Sequence, residues 1–118
     1  MKHDNLKDRT KSFALRIIRM VEGLPKNKTA DVIGRQLLRS GTSVGANYRA
    51  ACRAKSPADF ISKMGTVEEE TDESLFWMEL IVEARLMREE RLKELQAEAK
   101  EILAIVVSSI KTAKRSGL

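Results

Sequence analysis

Between positions 35 and 63 the chain places six cationic side chains, Arg35, Arg39, Arg49, Arg53, Lys55 and Lys63, against one carboxylate, Asp59. Spacings of four (35 to 39, 49 to 53) put each arginine pair on one face of a helix. Cations gathered with so few counter-charges suit contact with phosphate, and so with the backbone of RNA or DNA. Aromatic residues interleaved with the basic ones, the usual mark of single-strand binders, are missing here, so such contact would carry little sequence preference. The competing reading is a solvated face, or arginines paired inside the protein.

The same stretch holds Ser40, Gly41, Thr42, Ser43, Gly45 and Asn47. Glycine costs about 1 kcal/mol relative to alanine inside a helix, so two of them among hydroxyl residues need a reason. A phosphate-cradling loop is one, but no glycine-rich nucleotide motif is present. A serine nucleophile is another, yet the only histidine is His3, and a Ser43–Lys63 pair has nothing in its spacing to favour it. The third is close approach of a second helix, with Ser40, Gly41, Ser43 and Gly45 as packing positions. Asn47 would then bond across to a neighbouring helix and set register.

An acidic run, Glu68 to Glu70 with Asp72 and Glu73, invites a di-metal reading. A carboxylate bundle of that kind also needs Glu-x-x-His pairs, and no histidine follows position 3, so neither a metal nor a cofactor is expected. Glu70 and Glu73 are instead placed to meet Arg39 or Arg49 of the preceding helix in bidentate pairs. Cys52 lies among Arg49, Arg53 and Lys55, which would activate an exposed thiol. Its place beside an apolar stripe predicts a buried small hydrophobe. Trp77 is expected to pack, in the core or against another subunit. No constellation for catalysis emerges, and the chain is expected not to be an enzyme.

The elements that must position these residues follow from period and punctuation. Leu6, Thr10, Phe13, Ile17, Val21 and Leu24 recur at threes and fours, with Asp4 or Asn5 as cap and Pro25 as stop. Ala30, Ile33, Leu37, Val44, Tyr48 and Ala51 line a second helix, continuous or gently kinked, with a break at positions 40–43 as the alternative. Ser56-Pro57 starts a third, whose seam runs through Phe60, Met64, Val67, Thr71, Ser74, Met78 and Ile81. Leu92, Leu95, Ala99, Ile102, Val106 and Ile110 make a fourth. The helices are predicted over about 5–24, 29–55, 57–87 and 90–115, in one domain spanning 1–118. Short connections between them lead to an all-α, antiparallel up-down-up-down four-helix bundle.

The third helix carries more apolar surface than one seam requires: Leu75, Val82 and Leu86 flank it, and Trp77, Leu80 and Ala84 lie further round. That surplus predicts a homo-oligomer, which would also multiply any phosphate-binding face. A net charge of +5 permits nucleic-acid binding. One cysteine, no apolar run long enough to span a membrane and no signal-peptide core lead to an expected cytoplasmic setting without a membrane partner.

Three segments carry a family resemblance: Gln36-Leu-Leu-Arg-Ser-Gly-Thr-Ser-Val-Gly-Ala-Asn-Tyr-Arg49, Phe60-Ile-Ser-Lys-Met64, and Glu70 with Asp72-Glu73-Ser-Leu-Phe-Trp-Met-Glu-Leu80. Together they resemble the bacterial "four helix bundle protein" family. That family includes proteins encoded in intervening sequences of large-subunit ribosomal RNA genes, and it is related to the accessory protein of diversity-generating retroelements. The resemblance covers nearly the whole chain. It implies an antiparallel four-helix bundle assembled as a homopentameric, barrel-like ring without established enzymatic activity. It also implies nucleic-acid binding, in the retroelement branch alongside a reverse transcriptase. Arg39, Asn47 and Arg49 would be the polar members of a close-packed segment. Two departures stand out. Ala50 occupies a position that is usually acidic, and Glu69-Glu-Thr71 replaces Lys-Glu-Ala, so either Arg49 is left free for a ligand or Glu70 supplies its pairing.

Overall fold

The computed structural model describes residues 5–117 as four α-helices: α1 (Asn5–Glu22), α2 (Lys28–Ala51), α3 (Pro57–Glu83) and α4 (Glu89–Gly117). His3 and the Asp4 cap lie outside the described residues. The connections at 23–27, 52–56 and 84–88 are too short for anything but antiparallel neighbours. Each helix packs on its neighbours in sequence, and α4 closes back on α1 through the slightest of the four interfaces. The result is an elongated four-helix bundle of 48 × 22 × 21 Å.

The predicted seams form the core. Phe13 and Ile17 of α1, Leu37 and Val44 of α2, Met64, Val67, Met78 and Ile81 of α3, and Leu92, Ile102 and Val106 of α4 are sealed from solvent. Hydroxyl residues fill the middle of the α2–α3 contact, where Ser40, Thr71 and Ser74 are fully buried. Burial without a partner would penalise them. Thr71 Oγ1 donates to Val67 O at 2.7 Å, and the Ser74 hydroxyl stands 3.0 Å from Ser40 Oγ and 2.9 Å from Glu70 O.

α2 runs unbroken through 40–43, which settles the alternative of a break there. Thr42 and Ser43 return their protons to Leu38 O and Arg39 O at 2.7 Å each, so the hydroxyls are satisfied along the helix itself. The glycines admit α1. A Cβ at Gly41 would lie 2.8 Å from Ile17 Cγ1, and one at Gly45 would lie 3.2 Å from the backbone oxygen of Thr10.

Helix ends follow local chemistry. Asn27 caps α2 by accepting from Ala30 N at 2.8 Å, and Ser56 caps α3 by accepting from Asp59 N at 3.0 Å with Pro57 behind it. α2 stops at Ala51, short of the predicted 55. Cys52 N–H makes the last helical bond, to Tyr48 O; the N–H groups of Arg53 and Ala54 close tighter turns on Ala50 O and Ala51 O, and Lys55 N–H already donates to Asp59 Oδ2. α3 stops at Glu83 rather than 87. Arg85 N bonds Val82 O and Leu86 N bonds Ile81 O, the paired closure of a Schellman turn, with Arg85 at φ 60° in the place glycine usually takes.

The surplus apolar surface of α3 divides. Leu75 is buried, and Val82 and Leu86 pack against the core, because α3 lies between α2 and α4 and needs two apolar faces within one chain. Phe76 remains 50% exposed and Leu80 half-buried.

Candidate functional site: a polar network and a basic recess

The outer edge of the α2–α3 contact carries a charged network. Arg39 Nη1 donates to Glu70 Oε2 at 3.2 Å and Nη2 donates to Glu73 Oε2 at 2.6 Å. Trp77 Nε1 donates to that same Glu73 oxygen at 3.0 Å, one helical turn on. The indole N–H first, and the guanidinium second, hold the Glu73 carboxyl below its ordinary value. The two carboxylates in turn tighten the hold of Arg39 on its proton. Glu70 Oε1 lies 3.2 Å from Arg39 Nη2 in the ion pair yet accepts no hydrogen bond, so the guanidinium is not fully forked onto Glu70. Of the two arginines expected to meet these glutamates, Arg39 takes both. Arg49 is ten residues further along α2, about 15 Å away by helical rise.

The six candidate cations do not converge. Arg35 pairs with Asp31 of its own helix at 2.8 Å, and Lys63 pairs with Asp59 at 2.5 Å. Lys63 and then the Lys55 backbone N–H hold the Asp59 carboxyl below its ordinary value. With Arg39 engaged as well, half of the set is committed to carboxylates inside the chain.

Arg49 and Arg53 differ. They line a recess of about 450 Å³ together with Lys7, Ala46 and Ala50, and no carboxylate is among the lining residues. No ion pair holds either arginine among the described residues. Lys7 arrives because α1 runs antiparallel to α2, with Thr10 seated over Gly45, so that the start of α1 lies beside the end of α2. Nothing in the local pattern around Lys7 marks it as part of a site, and its membership here depends on helix pairing. Ala50, where an acidic residue was expected from the resemblance, leaves the recess without a counter-charge and opens its floor.

Two expectations require correction. Among the described residues Asn47 makes no bond to another helix: its amide Nδ2 donates to Ser43 O at 2.9 Å, four residues back in α2. The buried polar contact across to α3 is made by Ser40 and Ser74 instead. Cys52 is exposed rather than buried: its helical φ of −64° and its N–H bond to Tyr48 O keep the phase of α2, which sets it on the solvent side of buried Ala51. Among the described residues, no group of three or more His, Cys, Asp or Glu is placed to hold a metal ion. None of the described helices is long and apolar enough to cross a membrane.

No curated protein matches the chain. Among solved structures it is similar to the crystal structure of a protein of unknown function from the S23 ribosomal protein family of Bacteroides thetaiotaomicron. The two are 36% identical with a TM-score of 0.85, over 90% of this chain and 98% of that one. Residues 3–108 match the family model described as the 23S rRNA-intervening sequence protein. With that match spanning most of the four helices, the chain belongs to the 23S rRNA-intervening sequence protein family.

Proposed function

We propose that this is a non-catalytic, self-associating helical bundle that holds nucleic-acid backbone at the recess formed by Lys7, Arg49 and Arg53. The observation that carries the proposal is the grouping of those three cations around a floor of Ala46 and Ala50, with no carboxylate among the lining residues. Guanidinium forks match phosphate oxygens two at a time, and small floor residues let a backbone come close. Arg35, Arg39 and Lys63 leave the binding set, because a phosphate would have to displace a carboxylate from each. Lys55, exposed and two residues beyond Arg53, extends the positive surface past the helix end. The family description names ribosomal RNA as its setting and states no activity. Self-association, supported by the outward Phe76 and Leu80 of α3, would set several recesses on one particle and multiply weak contacts. A reducing, cytoplasmic setting suits a chain with one exposed thiol.

The test is fluorescence anisotropy with RNA and DNA duplexes of equal length across a salt series. Three phosphate contacts per recess predict a log–log salt slope of roughly −3 per protomer. Arg49→Glu/Arg53→Glu should weaken binding at least about tenfold and flatten the slope, while Arg35→Glu leaves it near wild type. Absence of binding at low salt, or unchanged binding by the double variant, would overturn the proposal. A protein-interaction scaffold is the second reading, favoured by the half-exposed Phe76.

A further inference from the structure

Two faces of the bundle that neither the core nor the Lys7–Arg49–Arg53 recess uses carry opposite charge. On α3, Glu69, Asp72, Phe76, Glu79 and Glu83 follow steps of three and four and are all exposed, so they form one outward stripe. No ion pair holds any of its four carboxylates among the described residues. Glu69 with Asp72 and Glu79 with Glu83 are like-charge neighbours that disfavour the isolated helix. Glu83 also ends α3 at its negative pole, where no basic residue sits in the last turn. A stripe of this kind lacks its counter-charge.

The aromatic ring at its centre is held in place from behind. Phe76 stands edge-on to Trp77 with ring centroids 5.0 Å apart, Trp77 is bonded to Glu73, and Glu73 to Arg39. An exposed ring already fixed loses little freedom when it is covered, and an apolar centre with a charged rim is the anatomy of a protein interface.

α4 offers the complement. A shallow recess of about 460 Å³ has Leu103, Ala104 and Val107 in its floor and Lys100, Lys111 and Arg115 at its edge, with no carboxylate in the lining. None of these cations is in an ion pair among the described residues. The stripe runs from 69 to 83 and the recess from 100 to 115, about 21 and 22 Å by helical rise. The two patches are alike in length, opposite in sign, and joined by no ion pair within the chain.

We propose that the α3 stripe of one copy seats on the α4 recess of a second copy, with Phe76 over Leu103 and Val107 and the carboxylates against Lys100, Lys111 and Arg115. This rests on the self-association put forward above and names the two surfaces that meet. Opposite potentials steer the encounter and set its register, and the buried ring supplies the anchor.

The experiment is sedimentation velocity on the full chain, with circular dichroism to confirm that each variant is folded. Wild type should sediment as a multimer that weakens as salt rises. Glu79→Lys/Glu83→Lys and Lys111→Glu/Arg115→Glu should each weaken association at least about tenfold, and so should Phe76→Ala. Mixing the two charge-reversed variants should restore it, because the reversed stripe of one is complementary to the reversed recess of the other, and their intact surfaces are complementary as in the wild type. Association that survives both reversals, or a mixture no more associated than its parts, overturns the assignment while leaving self-association standing. A monomeric wild type overturns both. Loss of nucleic-acid binding by Lys111→Glu/Arg115→Glu, with the mass unchanged, would make the recess a nucleic-acid surface and overturn the assignment as well.

Discussion

Arg39 Nη2 stands 2.6 Å from Glu73 Oε2 across the α2–α3 contact, and Trp77 Nε1 shares that oxygen at 3.0 Å. Together with the buried Ser40–Ser74 contact one position along each helix, this pins the register of the two central helices at their middle. The ion pair is half exposed on the arginine side, at 48%, so its weight lies more in placing Trp77 and Phe76 than in net stability.

The Glu73 carboxyl titrates below its ordinary value in the folded chain. A lowered folded value means that the stabilisation is complete above the unfolded value, about 4.3, and is lost as pH falls through the folded one. Urea unfolding of wild type and Glu73→Gln should therefore differ most above about pH 5, by a few tenths of a kcal/mol after solvent screening, and converge towards pH 2 to 3. Trp77 fluorescence of the folded state should shift in the variant at pH 7. A difference that persists undiminished in acid would show that the pairing is not its cause.

The glycines divide by what surrounds them. A methyl at Gly41 would meet Ile17, itself sealed in the core, at 2.8 and 2.9 Å, and so costs more than the roughly 1 kcal/mol of helix propensity it brings. At Gly45 the obstacle is α1 backbone at 3.2 Å, which must give by a few tenths of an ångström. At Gly65 nothing lies within 4 Å. Gly65→Ala should raise stability by up to about 1 kcal/mol. Gly41→Ala should lower it by about 1–2 kcal/mol, and Gly45→Ala should fall between. Thermal melts giving any other order would contradict the close α1–α2 approach.

Arg85 sits at φ 60° in the turn that closes α3. A left-handed conformation costs a side-chain-bearing residue about 1–2 kcal/mol, and glycine avoids that at about 0.5–1 kcal/mol of extra chain entropy. Arg85→Gly should thus stabilise by roughly 0.5 kcal/mol, and Arg85→Val should destabilise by more than that. Denaturant midpoints of the two variants test the pair; a stabilising valine would rule out the left-handed turn.

The four helices, their seams and most of their starts are legible in the sequence, because these depend on contacts one turn apart. Period placed Met64, Val67, Met78 and Ile81 on one buried line, and Ser56-Pro57 opened α3 by a cap that needs only its own first turn. The sequence also pointed to Ser40, Gly41 and Gly45 as positions where a neighbour comes close, since such residues have no local reason to stand inside a helix; Ser43, read the same way, bonds only along its own helix. The ends at Ala51 and Glu83 were less legible, because nothing in the apolar period stops there. The stops come from backbone turns, one of which uses an arginine where glycine would announce itself.

Which charges are satisfied depends on how the helices assemble. Arg39 and Arg49 are interchangeable as sequence, both ten or fewer residues from Ser43, but register puts one against Glu70 and Glu73 and the other beside α1. Lys7 enters the recess from 42 positions before Arg49, a distance in sequence that no local pattern spans. Asn47 bonds within its helix and Cys52 faces solvent because the rotation of α2 is set by its packing against α1 and α3. Helix formation is a short-range property of the chain, whereas the pairing of a cation with a carboxylate depends on distances that exist only once the helices are assembled.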